Sequence, residues 1–397
     1  MSLVGIVGAG IGGLTTALAC KQAGFDVRVF DQAPALQEVG AGLQLGPNAV
    51  HVLVALGLDA ALAQVAVKPE AIHMRAAQSG HLLAYLPLGD AADQRYGAPY
   101  YHVHRADLQS ILLDKLKDVG VTPELDAQCV HVTEEAPHVR VGFRDGREAR
   151  FDAVIGADGI HSFVREHLFG PEHPRFTGYV AFRGVVPAHA LDEGVIEPVV
   201  TAWLGARQHF ISYFVRRREL VNYVAVVEND TWREEAWDIP ADKTELSDPF
   251  RDWHVNVRRV IEATVSCHKW ALHDRDPLEQ WSSGRVTLLG DACHPMLPFL
   301  AQGAAMAIED AYALAHMLEV HSRDLSHALT QYATHRRPRT SRVQLESRRQ
   351  GKLYHLTNPL QVASRNFVIG FGSRMLPGLA RRRYDWLFGF DAVRLVT

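Results

Sequence analysis

The stretch Gly8-Ala9-Gly10-Ile11-Gly12-Gly13 limits the possible folds of this chain more than any other. It follows Leu3 to Val7, a short apolar run ended by glycine, as a buried parallel strand should be. Leu14 to Ala23 then fits a helix packed on a sheet, and Asp26 to Phe30 reads as the next strand, closed by Asp31. Strand, glycine turn, helix and strand make a βαβ unit. In such a unit Gly8 permits the tight turn, Gly10 lets the backbone approach a pyrophosphate, and Gly13 lets helix and strand pack closely. The helix N-terminus offers partial positive charge to the phosphates. Asp31, 18 residues after Gly13, stands where a carboxylate can accept hydrogen bonds from a ribose. The expected fold class is α/β, with a Rossmann-like nucleotide-binding domain.

A chain of 397 residues can hold two or three domains. Its formal charge of -4 gives no reason to expect a nucleic-acid partner. Ser2 to Cys20 is uncharged and largely apolar, but it lacks a basic leader and five glycines interrupt it. It therefore reads as strand, turn and helix, not as a membrane anchor. The four cysteines are scattered with no CxxC pair, which points to a reducing compartment, no disulfide and no metal site. A cytoplasmic location is expected. The late segment carries Arg336, Arg337, Arg339, Arg342, Arg348, Arg349 and Arg381-Arg382-Arg383. It reads as a solvated helical face, with a lipid or partner contact as the alternative.

Further along, Ala106 to Val119 has helical spacing, and Val139 to Phe143 with Ala149 to Asp152 flank the hairpin turn Asp145-Gly146. Val154 to Gly156 and Val286 to Leu289 read as buried strands. Phe176 to Val227 alternates as an antiparallel sheet with one covered face. Ala304 to Val320 is an amphipathic helix, and the chain stays helical and basic beyond it. The cofactor domain is thus expected from segments 1–70, 98–175 and 270–345. A sheet domain of 71–97 and 176–269 is inserted, and 346–397 forms a helical tail. The aromatic cluster from Tyr384 to Phe390 either caps the core or makes a dimer contact, so monomer and homodimer both stay open.

Two more motifs complete the picture. Gly156-Ala157-Asp158-Gly159 and Leu289-Gly290-Asp291 each follow an apolar strand, so Asp158 and Asp291 should face the cleft at the carboxyl ends of the strands. No second GxGxxG exists. With these motifs in order, the chain resembles the single-component FAD-dependent aromatic hydroxylases, in the group with salicylate and 3-hydroxybenzoate hydroxylases. The resemblance runs over nearly the whole length. His104-Arg105-Ala106-Asp107-Leu108 is similar to the family's arginine motif, with Arg105 beside the flavin and its phosphates. The stretch from Gly156 to Arg165 is similar to the motif that serves both flavin and nicotinamide, and Asp291 to the aspartate that binds the ribityl chain. By position in the family, the backbone at Cys129 meets the adenine and Gln44 lies near the flavin. Gly303 and Ala304 open a helix whose N-terminus can stabilise charge on the reduced flavin.

The resemblance implies tightly bound FAD, a visiting NADH or NADPH, and O2. It implies hydroxylation of a small phenolic acid through a flavin C4a-hydroperoxide. 3-Hydroxybenzoate 6-hydroxylation leads, with salicylate 1-hydroxylation and 6-hydroxynicotinate-type hydroxylation as alternatives. A flavin oxidase or tailoring enzyme for a larger metabolite is the alternative of another class. His209 and Tyr213 are the expected catalytic pair, because they are similar to the family's His and Tyr that hold the phenol and share one face of a strand. His294 reads as a loop residue near the flavin, while Glu309 and Asp310 read as structural, as do His102, His104 and His355. Gln44, where hydroxynicotinate enzymes tend to have histidine, favours a benzoate. Arg183 is a candidate partner for the substrate carboxylate.

Overall fold

Leu3–Val7 lies inside a five-stranded sheet, and its position explains why its residues are apolar: Val4 and Ile6 are fully buried. The structure, a computed structural model, describes residues 2–36, 41–172, 174–229, 232, 239–375, 378 and 382–394. The sheet order is Ser282–Ser283, Val286–Leu288, Ala153–Gly156, Leu3–Val7 and Asp26–Phe30. All pairs are parallel except the one with Ser282–Ser283. Val7 pairs with both Gly156 and Phe30, and Gly156 pairs with Leu288. The carboxyl ends therefore lie in one row, and the glycine turn and both glycine–aspartate motifs leave the sheet at the same end of the strands. This confirms the α/β class.

The helix after the glycine turn spans Ile11–Gln22, three residues earlier than its apolar spacing predicts. Glycine is a poor helix former, so spacing alone misses a first turn made of Ile11, Gly12 and Gly13. Helix Gly303–Val320 packs against Ile11–Gln22 and carries Glu309 and Asp310 into the interior. A three-stranded meander, Cys129–Glu135, His138–Phe143 and Glu148–Phe151, extends the expected hairpin by one strand.

A second sheet of eight strands runs Ile239–Ala241, Cys267–Asp274, Arg175–Pro187, Leu220–Glu228, Gln208–Val215, Val200–Gly205, Ala71–Ala76 and Leu82–Pro87. It is antiparallel except that Val200–Gly205 pairs in parallel with Ala71–Ala76. Within Phe176–Val227 every pair is antiparallel, as expected, and the parallel junction adds a neighbour from a distant segment that no local pattern marks. One face is covered by helix Val255–Glu262, whose Val257, Val260 and Ile261 pack with Phe210, Trp203 and Tyr223. The opposite face looks toward the long helix Leu325–Tyr354 and helix Pro359–Met375. No helix among the described residues is long and apolar enough to cross a membrane.

The arginine-rich segment is not simply a solvated face. Arg336 is buried, with Nε 2.7 Å from Asp310 Oδ1 and Nη1 2.8 Å from Glu309 Oε2. Arg339 donates from Nε to Glu309 Oε2 at 2.7 Å, and Arg348 forms ion pairs with Asp274 and Asp276. Arg337, Arg342 and Arg349 are exposed. The segment's charge is thus divided between internal pairing and solvent.

Candidate active site

The glycine turn is shaped by what glycine leaves out. A Cβ on Gly8 would lie 2.3 Å from the Ala157 carbonyl oxygen, and one on Gly13 would lie 1.9 Å from the Gly8 carbonyl oxygen. Gly8 also holds a φ of +108°, which favours glycine. A Cβ on Gly10 meets nothing within 4 Å. Backbone packs tightly on two sides of the turn, and the third side is open. Asp31 ties the turn to the neighbouring strand: Oδ2 accepts from Ala9 N at 2.7 Å and Oδ1 from Ala33 N at 2.9 Å. A carboxylate has about four acceptor positions, so two such bonds leave room for ribose hydroxyls.

Asp158 accepts from Ser162 Oγ at 2.5 Å and from Val164 N at 3.1 Å, at the start of helix Phe163–Phe169. Desolvation raises its carboxyl above the usual range, and these hydrogen bonds act against the shift. Cys129 begins its strand close by; burial pushes its thiol up to about 12, so any contribution there comes from backbone and not from thiolate chemistry. Asp291 has side-chain surface open to the cleft, while protein packed around the carboxyl desolvates it and raises its pKa. The charges of His294 and Arg105 oppose that rise. A Cβ on Gly303 would stand 3.9 Å from Asp291 Oδ1, so the first turn of helix Gly303–Val320, with Ala304 next, abuts this carboxylate. Arg105 opens helix Arg105–Asp118 and binds Ala41 O through its backbone N at 2.9 Å. Open backbone at Gly10, acceptors at Asp31, and Arg105 with Asp291 toward the far end fit an extended dinucleotide such as FAD.

Next to this cleft is a mostly apolar cavity of about 330 Å³. Pro298, Phe299, Leu300 and Ala301, in the loop between Asp291 and Gly303, form one wall. Ile211, Ala202 and Met74 form another; they pair across three strands and share one face of the sheet. His209 and Tyr213 lie on that face on either side of Ile211, about 7 Å away along the strand in each direction. Both are buried. His209 Nδ1 is 2.7 Å from His355 Nε2, and its ring packs on Phe299 and Tyr354, which line the cavity. Desolvation, then the neighbouring His355, lowers His209 well below the ordinary histidine value. Burial, then Arg365, lowers His355 to about 4. Tyr213 packs its ring 4.4 Å from that of His102, and burial raises its phenol while Gln44 opposes the shift. His102 is held neutral by burial, with a pKa of about 3. Gln44 lines the cavity and accepts from Tyr100 Oη at 2.7 Å.

The structure adds residues to the site. His355, which reads from spacing as structural, is the hydrogen-bond partner of His209; the two are 146 residues apart, so no local pattern could pair them. Tyr100 and the wall formed by Tyr384, Leu387 and Phe388 were also not singled out as site residues. His294 is buried, with Nε2 2.5 Å from Asp310 Oδ2, and so belongs to the internal ion network with Glu309 and Asp310. Arg183 is buried and its guanidinium lies 5.3 Å from the Trp270 ring; it shares the register row of Ile211, two strands away.

Comparison with known proteins agrees with this geometry. The family described as an FAD binding domain matches residues 1–347. The chain is similar to 3-amino-4-hydroxybenzoate 2-monooxygenase PtmB3 of Streptomyces platensis, at 40% identity over 98% of this chain and 96% of that protein. It is similar to 6-hydroxynicotinate 3-monooxygenase of Bordetella bronchiseptica, at 39% identity over 98% of this chain and 95% of that one. Among solved structures, Klebsiella pneumoniae HpxO complexed with FAD and uric acid superimposes with a TM-score of 0.86, at 27% identity and 96% coverage of both chains. With the glycine turn, the two cleft aspartates and the adjoining cavity in place, this chain belongs to the FAD binding domain family and, within it, to the FAD-dependent aromatic monooxygenases.

Proposed function

We propose that the chain hydroxylates a small aromatic carboxylic acid bearing a ring hydroxyl, with NADH or NADPH as reductant and O2 as oxidant. The observation that carries this reading is the apolar cavity against the Asp291–Gly303 loop, lined by Gln44 and Tyr100, with the neutral His209–His355 pair packed on the lining residues Phe299 and Tyr354 and with Tyr213 next to Ile211 on the strand face. Its volume of about 330 Å³ suits a single ring better than a larger metabolite.

Bound FAD supplies the oxygen-activating chemistry. Gly8, Gly10, Gly13, Asp31, Arg105, Cys129, Asp158, Asp291, Gly303 and Ala304 would hold it, with Gln44 near its ring. The chain's own work is to bind and orient the ring, exclude water, and handle one proton. His209 Nε2 is the nitrogen left for a substrate hydroxyl, since Nδ1 is engaged by His355. A neutral imidazole there draws the phenol toward phenolate, which enriches the ring for attack by an electrophilic oxygen. Tyr213 orients the ring from the other side. The apolar walls keep water from competing. Residues 1–70, 98–175 and 270–345 would form the cofactor domain, 71–97 and 176–269 the substrate sheet, and 346–397 the closing segment. All four cysteines are free and buried, in keeping with a cytoplasmic setting.

The relatives move 3-amino-4-hydroxybenzoate to the head of the substrates to test, ahead of 3-hydroxybenzoate, salicylate and 6-hydroxynicotinate. The test is a panel of these acids scored for NADH and NADPH oxidation, O2 uptake and product identity. One acid should stimulate oxidation and yield stoichiometric hydroxylated product. No stimulation by any of them, or peroxide as the sole product throughout, overturns the reading.

A further inference from the structure

We propose that Arg383 is the specificity-determining residue that receives the substrate carboxylate at the mouth of the cavity. This deepens the functional reading above and rests on it. Arg383 is the one charged side chain among the described residues that line the cavity. It is solvent-exposed, and no ion pair or hydrogen bond engages its guanidinium among the described residues. Tyr354 and Tyr384, which line the cavity with it, both feel its positive charge.

An aromatic acid brings a negative charge into walls that are almost wholly apolar. Burying a carboxylate there without a partner costs several kcal/mol. A cation at the rim removes most of that cost, because the carboxylate stays half in water while the ring enters. Guanidinium suits the task better than ammonium, since its fork matches both carboxylate oxygens. The other arginines noted for this role fit less well. Arg183 is buried against Trp270 and does not itself line the cavity, and Arg105 lies toward Asp291 on the cofactor side. With the carboxylate at Arg383, the ring hydroxyl points inward toward His209 or Gln44, so the acid group selects the orientation as well as the substrate. The arginine run in the tail thereby acquires a member with a defined task.

The test is a binding titration followed by the flavin absorbance of the purified holoenzyme. The ligands are 3-amino-4-hydroxybenzoate, 3-hydroxybenzoate, and their carboxylate-free counterparts 2-aminophenol and phenol. Arg383→Gln should weaken binding of the acids about 10- to 100-fold and leave the phenols unchanged. Arg383→Lys should restore part of the loss, and bound FAD per chain should stay the same in both variants. Equal acid affinity in Arg383→Gln and wild type overturns the assignment alone. A parallel loss for acids and phenols also overturns it, because it reports a collapsed cavity wall. A wild type whose flavin responds to no aromatic acid overturns the functional reading and Arg383 with it.

Discussion

The two nitrogens of the His209 ring have separate duties. Nδ1 is engaged by His355, and only Nε2 remains for a ligand. Neither ring carries charge at neutral pH, because burial leaves no water to solvate an imidazolium. With the His209 proton on Nδ1, donated to His355 Nε2, His209 Nε2 would accept a hydrogen bond from a phenol over the whole physiological range. His209→Ala is expected to slow hydroxylation about 100-fold or more and to divert reducing equivalents to peroxide, with FAD still bound. Product formed per NADH consumed measures this; full coupling at the wild-type rate removes His209 from the mechanism. At this scale the sequence was informative where chain neighbours carry the signal. Strand periodicity placed His209 and Tyr213 on one face, and the structure agrees. It could not show His355, because the contact comes from the end of a helix far along the chain.

Among the elements, the glycine turn offers the cleanest separation of folding from cofactor binding. Gly13→Ala drives a methyl group into the Gly8 carbonyl and should cost several kcal/mol, since a Cβ 1.9 Å from backbone oxygen cannot be relieved by a side-chain shift. Gly10→Ala meets only open space and should leave the melting temperature of the apoprotein unchanged while reducing bound FAD. Equal apoprotein stability for the two variants would contradict this packing. Both strands of this unit were legible, for different reasons: Leu3–Val7, inside the sheet, reads as a continuous apolar run, whereas the edge strand Asp26–Phe30 alternates exposed Asp26 and Arg28 with buried Val27 and Val29. The helix start was not, because glycine inside a first turn looks like loop. The parallel junction between Val200–Gly205 and Ala71–Ala76 left no trace either, since pairing across 128 residues (Val200 with Ile72) has no periodic signature.

Across the whole molecule, helix Gly303–Val320 is clamped to the long helix by buried charges. Arg336→Met would leave Glu309 and Asp310 short of a counter-charge and should destabilise the protein by about 3–5 kcal/mol; an unchanged urea midpoint would refute it. The buried neutral histidines set a second global property. His102, His209 and His355 all have folded-state values below the ordinary 6.5, so the unfolded chain binds more protons in that window. Their stabilisation is complete above about pH 6.5 and is lost as pH falls toward the folded values of about 4 for His355 and about 3 for His102. The raised carboxyls of Asp158 and Asp291 oppose this in part at the acid end. Melting temperature should fall steadily from pH 7 to pH 4.5; a flat profile would show that these rings are solvated. The three motifs revealed the cofactor half of the site because each sits at a strand end, whereas the cavity joins side chains from opposite ends of the chain. Tyr384, Leu387 and Phe388 form part of its wall. A ribosome therefore finishes the nucleotide cradle well before it finishes the chamber for the aromatic guest, and the nascent enzyme passes through a stage in which it could hold its coenzyme without yet being able to choose what to oxidise.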